Sequence, residues 1–182
     1  MTAGATADPD HWWWRDRPTT PAPSVILDMD GVLADASGRQ HFLAGPGRKD
    51  WRGFFDAAGG DRVIGEVVRL TELLDRSLVV VLLTARPARI RPLTLAWLER
   101  SGVDWDLLVM RPDHDFGPSV EFKRRSTREL QEVGLDLRLA FEDDPRNVAM
   151  FHEEGVPCVY LHSGYYEEPP RERGGPAGTF GR

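Results

Sequence analysis

One cysteine, Cys158, is all that the 182-residue chain carries. An internal disulfide and a cysteine-built zinc site are thereby excluded. Set in Val156-Pro157-Cys158-Val159-Tyr160-Leu161, it reads as a small buried hydrophobe. No apolar run approaches the length of a membrane span. The N-terminus lacks the basic and apolar regions of a signal peptide, so a cytoplasmic protein is expected. Positive charge is short as well. Lys and Arg number 23 against 29 Asp and Glu, a net charge of −6, which leaves no global basic footprint for nucleic acid. Two local clusters remain: Arg124, Arg125 and Arg128 around Lys123, and Arg86, Arg89 and Arg91 after Thr84. Each is either a contact patch or a solvated helix face. His41, His114, His152 and His162 show no metal-ligand spacing with one another or with cysteine. His41 and His114 fall in loops, where packing or surface roles compete with contact to a substrate.

The apolar share of 41% and the charged share of 29% are those of an ordinary globular protein. The length fits one domain with a real core. Residues 1–23 read as an N-terminal arm, residues 24–166 as the domain and residues 167–182, rich in Gly, Pro and Arg, as a flexible tail. The arm holds His11-Trp12-Trp13-Trp14. Three tryptophans rarely stay in water, so they pack on the domain, meet a second copy or another partner, or stack on bases.

Between the ends, strand-like and helix-like segments alternate. Val25–Asp28, Leu78–Leu83, Leu107–Met110, Leu137–Phe141 and Val159–Leu161 read as buried strands. Arg62–Arg76, Ala88–Ser101, Val120–Val133 and Asn147–Glu154 carry helical periodicity, three of them stopped by Gly102, Gly134 and Gly155. This alternation predicts an α/β fold, a Rossmann-like three-layer sandwich with a mostly parallel sheet. Residues 32–61 break the rhythm with several glycines and the aromatics Phe42, Trp51, Phe54 and Phe55. They predict a flap, too short for a large cap domain. The aromatics form the flap's own small core or offer a surface on which a base stacks.

The densest signal is Val25-Ile26-Leu27-Asp28-Met29-Asp30-Gly31. A buried strand that stops in Asp-x-Asp-Gly sets two acids at the edge where an α/β sheet opens to ligand. Side by side they repel unless a cation or a proton is shared. Three further pieces follow, each at or just beyond such an edge: Thr84-Ala85-Arg86, Lys123 near a helix start, and Glu142-Asp143-Asp144 after an apolar strand. Phosphoryl transfer needs these groups: a carboxylate nucleophile, an acid/base, a hydroxyl and a lysine on the phosphate oxygens, and acids for a divalent metal.

In that order the four motifs resemble the haloacid dehalogenase (HAD) superfamily of phosphohydrolases, over roughly residues 24–162. The resemblance implies a HAD-like fold and Mg²⁺ as cofactor. It makes Asp28 the nucleophile and Asp30 the general acid/base. The Asp28 side chain, the Asp30 backbone carbonyl and Asp143 are implied as metal ligands, with Thr84 and Lys123 on the phosphoryl group. Asp144 is either an outer neighbour of the metal or the N-cap of the following helix. Within the superfamily the sequence is similar to the 3′-phosphatase domain of polynucleotide kinase-phosphatases. Gly38-Arg39, Thr84-Ala85-Arg86, the helix from Arg89 to Leu98, Met110-Arg111-Pro112 and Val148–Phe151 carry that similarity. It implies that Arg39 and Arg86 contact a substrate phosphate; the competing readings are a solvated loop residue and a surface ion pair. It also implies removal of a terminal 3′ phosphate from DNA or RNA ends, a nucleic acid repair role. Ser119 departs from the acid common four residues before the lysine. No Gly-x-x-x-x-Gly-Lys-Ser/Thr loop is present, so a kinase activity is not expected from this chain. A nucleotidase or other small-molecule phosphatase, and a non-catalytic phosphate-binding or interaction module, are the alternatives.

Overall fold

Val25, Ile26 and Leu27 are almost wholly buried. They lie in β2 (Pro23–Leu27), a central strand of a six-stranded sheet in the computed structural model, which describes residues 8–18 and 21–166. The other strands are β1 (Trp12–Trp14), β5 (Val79–Pro87), β6 (Leu107–Arg111), β7 (Asp136–Glu142) and β8 (Cys158–Tyr160), in the order β1-β6-β5-β2-β7-β8. Every pairing is parallel except that of β1 with β6. Helices α2 (Gly65–Glu72) and α3 (Arg91–Ser101) contribute Val67, Trp97 and Leu98 to a core on one face. Helices α4 (Ser119–Glu132) and α5 (Pro145–Glu153) contribute Phe122, Leu130, Met150 and Phe151 to the other. This is the expected three-layer α/β sandwich.

The local causes are plain. In α4 the buried residues Phe122, Ser126 and Leu130 recur every four positions, with Lys123 and Thr127 beside them. Gly102 ends α3 in the left-handed region (φ 69°), where a Cβ would be strained. Asp144 caps α5 by accepting from Arg146 N at 2.9 Å, and Pro145 opens the helix.

Two segments differ from their sequence readings. The helix expected over Arg62–Arg76 is shorter. Arg62–Val63 form β4, paired antiparallel with β3 (Ala34–Asp35), and the helix runs only from Gly65 to Glu72. The Ile64 N–H donates to Leu33 O at 2.9 Å, which draws the start of the segment into that hairpin. At the far end the Asp75 side chain accepts from Ser77 N, a turn that competes with helix. The tryptophans assigned to an arm outside the domain form the sheet's edge strand, Trp12 opposite Val109. Alternation then buries Trp12 and exposes Trp13. Part of the expected arm, residues 1–7, 19 and 20, and the expected tail, 167–182, lie outside the described residues.

The flap fills residues 32–64 with β3, a 3₁₀ segment (Ala36–Leu43), α1 (Trp51–Asp56), a second 3₁₀ turn (Ala57–Gly60) and β4. Trp51, Phe54 and Phe55 pack on one another, centroids 5.3–6.0 Å apart. Among the described residues no helix is long and apolar enough to cross a membrane.

Candidate active site

Asp28 follows β2 directly, and its N–H donates to Phe141 O at 3.0 Å. That bond sets it beside Glu142 and Asp143 at the end of β7. Carboxylate oxygens of Asp28, Glu142 and Asp143 lie within 4.8 Å of one another, and all three residues are buried. Lys123 reaches in from α4, its Nζ 2.8 Å from Asp28 Oδ1 and 2.6 Å from Glu142 Oε2. Glu142 Oε1 also accepts the backbone N–H groups of Asp143 and Asp144 at 3.2 and 3.1 Å. One ammonium against three carboxylates leaves excess negative charge in a dry place, which is costly.

The titration behaviour follows. Burial, then the Glu142 charge, push the Asp28 carboxyl well above its ordinary range, against the pull of Lys123. Burial pushes Asp143 up to about 7, opposed by the nearby Ser163 hydroxyl. Burial lowers Lys123, but the charges of Asp28 and Glu142 outweigh it and the net direction is up. Both oxygens of Asp143 are buried without a well-formed hydrogen bond. An all-oxygen donor set with surplus negative charge and orphaned carboxylate oxygens suits a hard divalent cation. The backbone is shaped for it too. Gly31 has φ +89°, and a Cβ there would fall 1.9 Å from Asp143 Oδ2.

Asp30 turns to a different set of partners. Its Oδ1 accepts from Arg39 Nη2 at 2.5 Å and from Arg86 Nε and Nη2 at 2.9 and 2.5 Å. Asp61 closes the square, accepting from Arg39 Nε and Nη2 at 3.0 and 2.8 Å and from Arg86 Nη2 at 3.1 Å. Both arginines are buried, 2% and 1% exposed, so neither the solvated loop nor the surface ion pair describes them. Arg39 stacks over Phe54, 4.1 Å from the centroid. Two guanidiniums and two carboxylates balance. Burial raises Asp30, yet the charges of Arg86 and Arg39 prevail and hold it below the usual carboxylate range. Asp61 goes the other way, burial outweighing its bonds to Arg39. Arg86 Nη1 is buried and has no partner among the described residues, a donor left free beside Asp30 and Asp61.

Thr84 is buried near the end of β5, its Oγ1 accepting from Arg86 N at 3.2 Å. The structure therefore gathers Asp28, Lys123 and Asp143 in one cluster and Asp30, Arg39 and Arg86 in the next, with Thr84 bonded to Arg86. Asp144 serves as helix cap and binds the Arg146 side chain. The surface arginines are engaged: Arg124 and Arg128 with Glu154, Arg125 with Asp115, Arg89 with Asp56. His41 packs on Phe42, away from these clusters. Burial pushes the Cys158 thiol up to about 12, as an inert, half-buried residue requires. Two participants went unassigned in the sequence. Glu142 was visible as an acid after a strand, whereas Asp61 sits in a flap with no motif around it.

A parallel sheet that delivers paired aspartates, a hydroxyl, a lysine and further acids to one edge is the architecture of the HAD phosphatases, and this chain is a HAD-type phosphatase. Its residues 22–166 match the phosphatase domain of polynucleotide kinase PNKP, and the chain belongs to that family. A chain of the Pnkp1/Rnl/Hen1 RNA repair complex is similar in fold, with TM-score 0.67 and 23% identity over 82% of this chain. This chain spans 45% of that one's length. A haloacid dehalogenase-like hydrolase from Streptococcus pneumoniae matches with TM-score 0.55 and 13% identity, over 81% of this chain and 92% of its own. No curated protein matches the sequence significantly.

Proposed function

We propose that the protein is a Mg²⁺-dependent phosphomonoesterase that removes a terminal 3′ phosphate from a polynucleotide through an aspartyl-phosphate. The observation that carries the chemistry is the buried Asp28–Glu142–Asp143 cluster with Lys123 against the nucleophile. The family match over 22–166 supports the substrate class, as does a flap in place of a large cap.

Asp28 and Asp143, with the backbone carbonyl of Asp30, would hold the cation. Once bound, it offsets the repulsion between carboxylate and phosphate. Lys123 holds Asp28 Oδ1 at 2.8 Å and fixes the attacking group. An Asp28 oxygen forms the bond to phosphorus while the bond to the leaving oxygen breaks, and Asp30 gives that oxygen a proton. Water then attacks phosphorus, Asp30 takes its proton, and Asp28 leaves as inorganic phosphate is released. Arg86 Nη1 and the Thr84 hydroxyl receive the phosphate oxygens. A phosphate dianion draws Arg86 away from Asp30; relieved of that charge, the carboxyl takes up a proton from solvent and turns toward the leaving group while Arg39 keeps hold of it. Nucleic acid repair in the cytoplasm is the setting this activity implies.

Phosphate release from matched oligonucleotides with a 3′ or a 5′ phosphate, beside free nucleotides, tests the reading. Preference for the 3′-phosphorylated oligonucleotide, abolished by chelator or by Asp28→Asn, is expected. Preference for free nucleotides would keep the chemistry and replace the substrate. Activity retained by Asp28→Asn would remove the nucleophile assignment.

A further inference from the structure

A cavity of about 730 Å³ opens at the same sheet edge, beyond the end of β6, walled by His11, His114, Phe116, Phe122 and Glu129. β6 lies two strands from β2, about 10 Å by strand spacing, and Ala88 just past β5 joins the cavity wall. Helix α4 carries Lys123 for the active site and its neighbour Phe122 for the cavity.

The edge strand β1 builds one wall. Trp12 is buried opposite Val109, Met110 N donates to His11 O at 3.1 Å, and the His11 ring meets Phe122 edge-on at 6.3 Å. Phe116, on the loop after β6, is 89% exposed, an aromatic face with nothing on it. Arg111 stands over Phe122, 5.6 Å from the centroid, and its Nε and Nη2 are buried without partners.

The charges decide what fits. Asp115 is spent on Arg125 at 2.5 Å, and Asp113 accepts Arg89 N at 2.8 Å. Among the described residues Asp10 and Glu129 form no ion pair, so carboxylates outnumber free cations there and a phosphate chain would be repelled. A flat, uncharged heterocycle would not. Aromatic faces take its plane, and carboxylates accept its N–H groups. Guanine presents adjacent ring and amino N–H donors that one carboxylate can accept together, and single-stranded ends offer splayed bases.

We propose that this cavity binds the nucleobase at the phosphorylated end of the substrate, with guanine preferred, Phe116 as stacking face and the Glu129 carboxylate as acceptor of the base N–H groups. The inference rests on the polynucleotide reading above. The volume lies within the range of small-molecule sites.

The test compares kcat/KM for 3′-phosphorylated oligonucleotides whose terminal residue carries guanine, a pyrimidine or no base, with p-nitrophenyl phosphate alongside. Wild type should favour guanine over the abasic end by about tenfold, in keeping with stacking on one aromatic face. Phe116→Ala, at an exposed position, should shrink that ratio below about twofold, and Glu129→Ala, which removes the carboxylate acceptor from the cavity wall, should level guanine with the pyrimidine. Equal turnover of base-bearing and abasic ends by wild type would overturn the base site and leave the end-phosphatase reading standing. A ratio unchanged in both variants would overturn the assignment to this cavity. Turnover of p-nitrophenyl phosphate with none of either oligonucleotide would overturn the polynucleotide reading, and the base site with it.

Discussion

Asp143 Oδ2 occupies the space that a side chain on residue 31 would need: a Cβ built on Gly31 falls 1.9 Å from it. The glycine of Asp-x-Asp-Gly thus gives more than a turn. It lets the acid just past β7 approach the backbone that follows β2.

Gly31→Ala should therefore displace Asp143 and strain a residue at φ +89°. A shift near 1 Å in such a site costs on the order of 100-fold in activity. The Mg²⁺-induced rise in Tm should vanish in parallel. Gly38→Ala is the control, since a Cβ there has nothing within 4 Å. Full activity in Gly31→Ala would mean that Asp143 need not sit where it does.

The Asp30–Arg39–Asp61–Arg86 square changes what an arginine variant should do. By its resemblance alone, Arg39 is a phosphate contact whose loss hurts nucleic-acid substrates most. Buried and bonded to both Asp30 and Asp61, it holds Asp30 in place. Arg39→Ala should lower turnover of oligonucleotide and of p-nitrophenyl phosphate to similar extents. Asp61→Ala breaks the same square and should destabilise the fold by about 3–5 kcal/mol. A double-mutant cycle on the two should show coupling of about 0.5–3 kcal/mol, read from urea unfolding. Selective loss on oligonucleotides in Arg39→Ala would return the residue to the substrate.

How far the sequence leads depends on whether a feature is local. Strand ends, helix periodicity and stop glycines are local, so β2, β5, β7, α4 and α5 were legible within a few residues. So was Asp28-x-Asp30, because an apolar strand running into acids is itself a signal. Arg62–Val63 was not, because what makes it a strand is a partner almost thirty residues earlier. The same holds for Asp61, whose role comes from two arginines on other segments. The Trp12–Trp14 strand had the composition of something that must be buried, but its partner β6 lies some ninety residues on.

That pairing makes neighbouring tryptophans unequal. Trp12 is buried against Val109 and its strand, whereas Trp13 is 43% exposed with Arg91 stacked over it at 4.4 Å. Trp12→Ala should cost about 3–5 kcal/mol in urea unfolding. Trp13→Ala should cost about 1 kcal/mol at most, the scale of an exposed cation–π contact. Equal effects would mean that β1 is not held in this register.

Glu154 ties α4 to the end of α5, taking Arg128 at 2.7 and 2.8 Å and Arg124 at 2.7 Å. The Arg128 bonds, with those of Arg124, outweigh burial and hold its carboxyl down at about 2, against an ordinary 4.5. A carboxyl depressed in the folded state contributes stability that is present above the unfolded value. That contribution fades as pH falls from about 4.5 toward 2. Because Arg128 is largely exposed, solvent screening limits the contribution to about 1 kcal/mol. Glu154→Gln should thus lower Tm by about 2–4 °C at pH 7. The gap between wild type and variant should close on acidification through that window. Thermal melts at pH 7, 4 and 2.5 check it. A gap that stays constant with pH would show that Glu154 acts through packing or neutral hydrogen bonds, which Gln keeps or loses at every pH alike.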